Sequence, residues 1–118
     1  MAGTLVANTI NTDTGIYSTN NAYSGIAKAW CIYNGSTQTI SSSFNISSVT
    51  YNSTGNYTFN FTTAMASANY SAVTSADAIA ITNNTSPTSS ALNVQIYTRS
   101  NPLTSANSPY TSVAVFVS

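Results

Sequence analysis

Charge is what this chain has least of. Asp13, Lys28, Asp77 and Arg99 are its only charged side chains, 3% of 118 residues, where an ordinary soluble domain carries about 25%. Glu and His are absent altogether. Without His no Ser–His–Asp relay can be assembled. An acid–base carboxylate pair would have to be Asp13 and Asp77, which lie in different segments and share no local motif. Two cations cannot neutralise a run of phosphates, so nucleic acid is excluded as a partner, and anionic membrane surfaces are excluded for the same reason. The expectation is a protein that is not an enzyme and holds no cofactor and no metal.

Other absences narrow the reading further. Cys31 is the single cysteine, so no intrachain disulfide can form. It sits in the apolar run Ala27 to Tyr33 and reads as a small buried hydrophobe, since a reactive thiolate needs a cation beside it. Five glycines make no phosphate-cradling loop. No stretch approaches the roughly 20 apolar residues of a membrane helix. Met1 to Val6 has neither a basic region nor a long apolar one, so a secretory leader is not expected. That reading turns sequons such as Asn45-Ile46-Ser47, Asn56-Tyr57-Thr58 and Asn60-Phe61-Thr62 into products of composition, because glycosylation requires the secretory route. Asn11-x-Asp13-x-Gly15 has the outline of a calcium turn with too few carboxylates to balance the ion.

What is present is β-sheet vocabulary. Nearly half of the chain is Asn, Ser or Thr, yet 42% is hydrophobic and 11% aromatic, which separates it from disordered sequence. Period-2 alternation dominates, and helical periodicity is absent. Tyr57, Phe59 and Phe61 share one face, with Thr58, Asn60 and Thr62 on the other. Leu92, Val94 and Ile96 repeat the pattern against Asn93 and Gln95, and so do Val113, Val115 and Val117. Trp30 and Ile32 share a face, as do Ile40, Ser42, Phe44 and Ile46. Ile79 and Ile81 mark a short strand after Asp77. Asn34-Gly35-Ser36 reads as a hairpin turn, Asn52 to Asn56 as a second turn, and Asn83–Ser90 and Ser100–Pro109 as longer loops.

This spacing predicts an all-β fold, an antiparallel β-sandwich, jelly-roll-like, of about 7–9 short strands. Residues 1–25 read as an extended N-terminal arm with one strand, and residues 26–118 as the sandwich. Thr4, Leu5, Val6 and Ile10 are the candidate assembly residues of the arm. Such an arm is stabilised by docking on another subunit; the competing reading makes it an edge strand of its own domain. Tyr17, Tyr23, Tyr97 and Tyr110 fall in polar or loop segments and are candidates to face a partner, against ordinary packing for each. Lys28 can pair with Asp77 and Arg99 with Asp13, at about 0–1 kcal/mol for a surface pair. Thr and Asn on the outer faces suit hydrogen-bond ladders across strands. A domain lacking the usual surface charge and carrying uncharged β-edges points to a working state that is a symmetric assembly.

From Ala27-Lys28-Ala29-Trp30, through Ser43-Phe44-Asn45-Ile46-Ser47-Ser48-Val49-Thr50 and Gly55-Asn56-Tyr57-Thr58-Phe59-Asn60-Phe61-Thr62-Thr63-Ala64-Met65, to Ala68-Asn69-Tyr70, the chain resembles a β-rich module. The module is that of tail-fibre-like and other virion proteins of tailed bacteriophages, aquatic and cyanobacterial ones above all. Thr4-Leu5-Val6-Ala7-Asn8-Thr9-Ile10 is similar to leader segments that precede such modules. The chain departs from the pattern at Cys31-Ile32-Tyr33 and is poorer in Asp around Tyr51-Asn52. The resemblance implies a protein of the virion exterior, made in the host cytoplasm and released by lysis. Its implied partners are itself, often as a homotrimer, and other virion proteins, either the major capsid protein or tail proteins. Two roles follow. One is a capsid decoration or cement protein, with the arm Ala2–Ile10 holding a capsid subunit or its own neighbours. The other is a tail-fibre or fibre-tip adhesin whose tyrosines stack on host surface glycans. The absence of heptads and of a β-helix repeat favours a surface knob over a shaft, so decoration leads.

Overall fold

The computed structural model describes residues 3–12, 15–82 and 86–117. Eight strands form the expected all-β sandwich of two antiparallel four-stranded sheets. In chain order the elements are β1 (Thr9–Thr12), β2 (Gly15–Ser18), α1 (Thr19–Gly25), β3 (Ala29–Asn34), β4 (Thr39–Phe44), β5 (Ile46–Ser53), β6 (Asn56–Phe61), β7 (Ser71–Ala76), β8 (Ile79–Thr82), β9 (Ala91–Tyr97) and β10 (Thr111–Phe116). The first sheet has the order β4-β3-β10-β7 and the second β5-β6-β9-β8, while β1 and β2 pair only with each other. Two antiparallel layers of four strands each make this a β-sandwich. The hairpins β3–β4, β5–β6 and β8–β9 each stay within one sheet.

Alternation builds the core. Ala29, Cys31 and Tyr33 on β3 and Val113 and Val115 on β10 face Tyr57, Phe59 and Phe61 on β6 and Leu92, Val94 and Ile96 on β9, all of them buried. The Tyr33 ring meets Tyr57 edge-on at 5.1 Å and Phe59 at 5.9 Å across the two sheets, a geometry that adds about 0.5–1.5 kcal/mol per pair beyond area burial. Cys31 is fully buried, and burial pushes its thiol up to about 11.

Two short crossings join the sheets. At the first, Asn45 separates β4 from β5 in the left-handed region, at φ 57°. Its side-chain amide donates to the Lys28 and Thr63 carbonyls, both at 3.0 Å, and its Oδ1 accepts from the Thr63 N–H at 2.7 Å. Ile40 to Ile46 is therefore two strands, where the alternation suggested one face: β4 is exposed along its whole length and only Ile46 turns into the core. At the second crossing, Asp77 and Ala78 link β7 to β8, and Thr82 Oγ1 donates to Thr74 Oγ1 at 2.8 Å across the corner.

The N-terminal region holds more structure than an extended arm. β1 and β2 form their own hairpin, and α1 follows, with Ser18 as N-cap accepting from the Asn21 N–H. The seven residues Thr19 to Gly25 carry no amphipathic repeat, so α1 has no helical period legible in the sequence. β7 was equally silent, since Ser-Ala-Val-Thr-Ser-Ala is nearly devoid of large side chains.

Candidate interaction face

The two outer faces of the sandwich differ in chemistry. On the second sheet the outer face is a lattice of amides and hydroxyls. Asn60 Nδ2 donates to Ser48 Oγ and Thr50 Oγ1 at 3.1 and 3.0 Å. Asn52 Nδ2 donates to Thr58 Oγ1 and Asn56 Oδ1 at 2.8 and 2.9 Å, and Asn93 Nδ2 reaches the same Asn56 Oδ1 at 2.9 Å. These are the expected cross-strand ladders, and they span β5, β6 and β9. Ser48, Thr50 and Asn52 are exposed members of the lattice, while Asn93 Oδ1 is buried without a partner.

The outer face of the first sheet carries an apolar row, bordered by a second row in which Ser42, Ser112 and Ser75 flank Ile32. Strand register places Phe44, Trp30, Ala114 and Val73 in one row across β4, β3, β10 and β7. Phe44 is 54% exposed, Trp30 37% and Val73 61%. Half-buried Ile32 and Phe116 lie on the same face. None of these positions is charged. The central strands β3 and β10 thus carry large apolar side chains on their outer faces too, Trp30 and Ile32 on β3 and Phe116 on β10 beside Ser112, toward the pattern of strands covered on both sides, although within this chain only their inner faces are covered. By contrast β6 and β9, the central strands of the second sheet, alternate strictly between apolar and polar. The continuous run Ala29-Trp30-Cys31-Ile32-Tyr33 was the signal in the sequence for this face, and Val73, silent in the sequence, completes it.

Beside Phe44 the face opens into a groove. Tyr23 and Ile26 form one wall, Phe44 another, and Met65 and Val117 line it more deeply, enclosing a cavity of about 380 Å³. The Lys28 ammonium at its rim is engaged: it donates to the Tyr23 carbonyl and, at 2.8 Å, to the Ile26 carbonyl, and it sits 4.0 Å from the Tyr23 ring centroid. Lys28 therefore does not pair with Asp77, whose Oδ1 accepts instead from the Ser108 hydroxyl. Asp13 lies outside the described residues, and with it the expected pair with Arg99.

The residues singled out in the sequence fall in three places. Thr4, Leu5 and Val6 are exposed in a stretch that precedes β1 and pairs with no strand. Ile10 sits on β1 opposite Tyr17, whose side chain lies outside the described residues. Tyr23 and Tyr110 are both exposed, but they do not make one site. Tyr23 lines the groove beside Val117, while Tyr110 precedes Thr111 at the other end of β10, about 20 Å away at 3.3 Å per residue. Tyr97, at the end of β9, is half-buried opposite Ile79. Comparison with protein-family models, with curated proteins and with solved structures found no match to this chain.

Proposed function

We propose that this chain is a non-enzymatic structural protein of the exterior of a tailed-phage virion, most simply a decoration or cement protein seated on the capsid. The observation that carries the reading is the chemical asymmetry of the sandwich. One outer face carries an uncharged apolar row, Phe44, Trp30, Ala114 and Val73, and the opposite face is a lattice of Asn, Ser and Thr bonded to one another. A monomeric soluble protein gains nothing from leaving such a face open, because exposed contiguous apolar area marks an interaction surface or an aggregation hazard. A protein that coats a shell has one side on its neighbours and one side in water. Burial of the apolar face across joints between shell subunits would resist outward pressure without any charged contact, and therefore with little dependence on salt. The resemblance of Ala27 to Tyr70 to modules of phage virion proteins supports the same reading and adds the expectation of host-cytoplasmic synthesis and self-association.

The test is localisation on purified particles of the phage that encodes the chain. Immunogold labelling or a cryo-EM reconstruction should place it over the capsid lattice, and stained gels should show it in an amount comparable to the major shell protein. Label confined to the tail, at a small fraction of that amount, overturns decoration in favour of a fibre-tip protein, for which exposed Tyr23 and Tyr110 would be glycan-stacking candidates.

A further inference from the structure

We propose that the groove bounded by α1 and the Phe44 end of the first sheet receives the Leu5–Val6 segment of a second copy of this chain. The groove selects for such a guest. Its lining is dominated by Tyr23, Ile26, Phe44, Met65 and Val117. Its two strongest polar groups are already engaged: the Lys28 ammonium with the carbonyls of Tyr23 and Ile26, and the Asn45 amide with those of Lys28 and Thr63. That leaves only hydroxyls, those of Thr63 and Tyr23, and no free charge to hold an ionic ligand. An uncharged aliphatic segment fits, and a cavity of about 380 Å³ has room for a few aliphatic side chains.

The chain carries a segment of that chemistry. Leu5 is 86% exposed and Val6 87%, the most exposed large hydrophobic side chains among the described residues. They lie in a stretch without a strand partner, and residues 3–11 include no charge. The stretch is tethered at its far end only, where Thr19 Oγ1 donates to the Ala7 and Asn8 carbonyls at 2.7 and 3.0 Å and the Thr19 N–H donates to Asn8 at 2.8 Å. That tether holds the root of the arm to the first residue of α1 and leaves Leu5 and Val6 projecting from the molecule. Docking on a second copy keeps the tether and covers both side chains. Successive side chains of extended chain point to opposite sides, so one of the pair enters the groove while the other lies along its Phe44 rim. Because Phe44 belongs to both the groove and the apolar row, the exchange also brings the apolar faces of neighbouring copies together. A head-to-tail exchange of this kind closes into a ring when the rotation between copies permits.

The inference does not depend on where the assembly resides, and its test needs only the full chain. Two single-substitution chains, Val6→Cys and Ala64→Cys, place one new thiol on the arm and one at the groove; Cys31 is buried and takes no part. Mixed and oxidised, the two chains should give a disulfide-linked dimer on a non-reducing gel, whereas each alone should give far less. A chain carrying both substitutions that forms only an intrachain bridge, or a mixture that forms no bridge above the single-chain controls, overturns the proposal. In the otherwise native chain, Leu5→Ser with Val6→Ser should weaken self-association by about tenfold or more, as expected for loss of at least one buried aliphatic side chain. Unchanged association of that variant overturns the proposal as well.

Discussion

At the scale of single residues, backbone geometry outweighs charge in holding this fold. Gly55 turns β5 into β6 at φ 72°, and a β-carbon there would meet the Ala106 and Ile96 carbonyl oxygens at 2.6 Å. Its N–H donates to Asn107 Oδ1 and its carbonyl accepts from the Ile96 N–H. Gly55→Ala should therefore destabilise the chain by about 1–3 kcal/mol, read as a lower urea midpoint at unchanged slope. Cys31 gives a second prediction. Burial raises its thiol from 9.0 to about 11, and burial also raises the hydroxyls of Tyr33, Tyr57 and Tyr70. For each of these groups the fold holds the proton more tightly than the unfolded chain does, so stability is full below the unfolded value and is lost as pH rises through the folded one. Urea midpoints should fall between pH 9 and 11, and less steeply between pH 9 and 10 in Cys31→Ala, where the thiol no longer contributes. The burial of Cys31 was legible in its apolar run. The turn at Asn45 was not, because an isolated Asn in the left-handed region has no signature in hydrophobic periodicity.

At the scale of elements, the sequence was readable wherever one face of a strand is apolar and the other polar. β6, β9 and β10 were located by that alternation, and the turns before β4 and β6 by Asn-Gly and Thr-Gly. The pattern failed where side chains are small, as in β7, or where the element is too short for a period, as in α1. It misled at Ile40 to Ile46, where a crossing between sheets imitates an uninterrupted strand. The two central strands of the first sheet are the informative exception: they carry large apolar side chains on both faces and have a partner on one. The two faces should respond differently to substitution. Leu92→Ala, in the core, should cost about 2–5 kcal/mol in urea unfolding. Val73→Ser, on the open face, should lie within about 0.5 kcal/mol of the native chain while reducing its self-association in sedimentation.

At the scale of the whole molecule, the chain is longer than a compact domain of its size. Its radius of gyration is 17.0 Å, with extents of 52 × 31 × 26 Å, against about 13–14 Å expected for this length. The hairpin β1–β2, which pairs with neither sheet, and the unpaired residues before it account for the excess. The shortage of charge acts at this scale too. No side chain has an ordinary titration point between about pH 5 and 8, and four charges give salt little to screen. The thermal midpoint should therefore stay flat across that pH range and between low and high salt, measured at fixed protein concentration. The lack of charge is plain in the sequence itself. Which outer face carries the polar lattice and which the apolar row is fixed by strand register, because one residue of shift exchanges the two faces of a strand.

The proposed coverage of the apolar row by other subunits would unite these features, and the mass of the full chain in solution tests it most directly. Sedimentation equilibrium over a range of concentrations should give a species several times the 12.3 kDa of one chain, with Phe44→Ser and Val73→Ser together shifting it toward the single chain. A native chain that stays folded and soluble at 12.3 kDa throughout that range would contradict the assignment of this face to assembly.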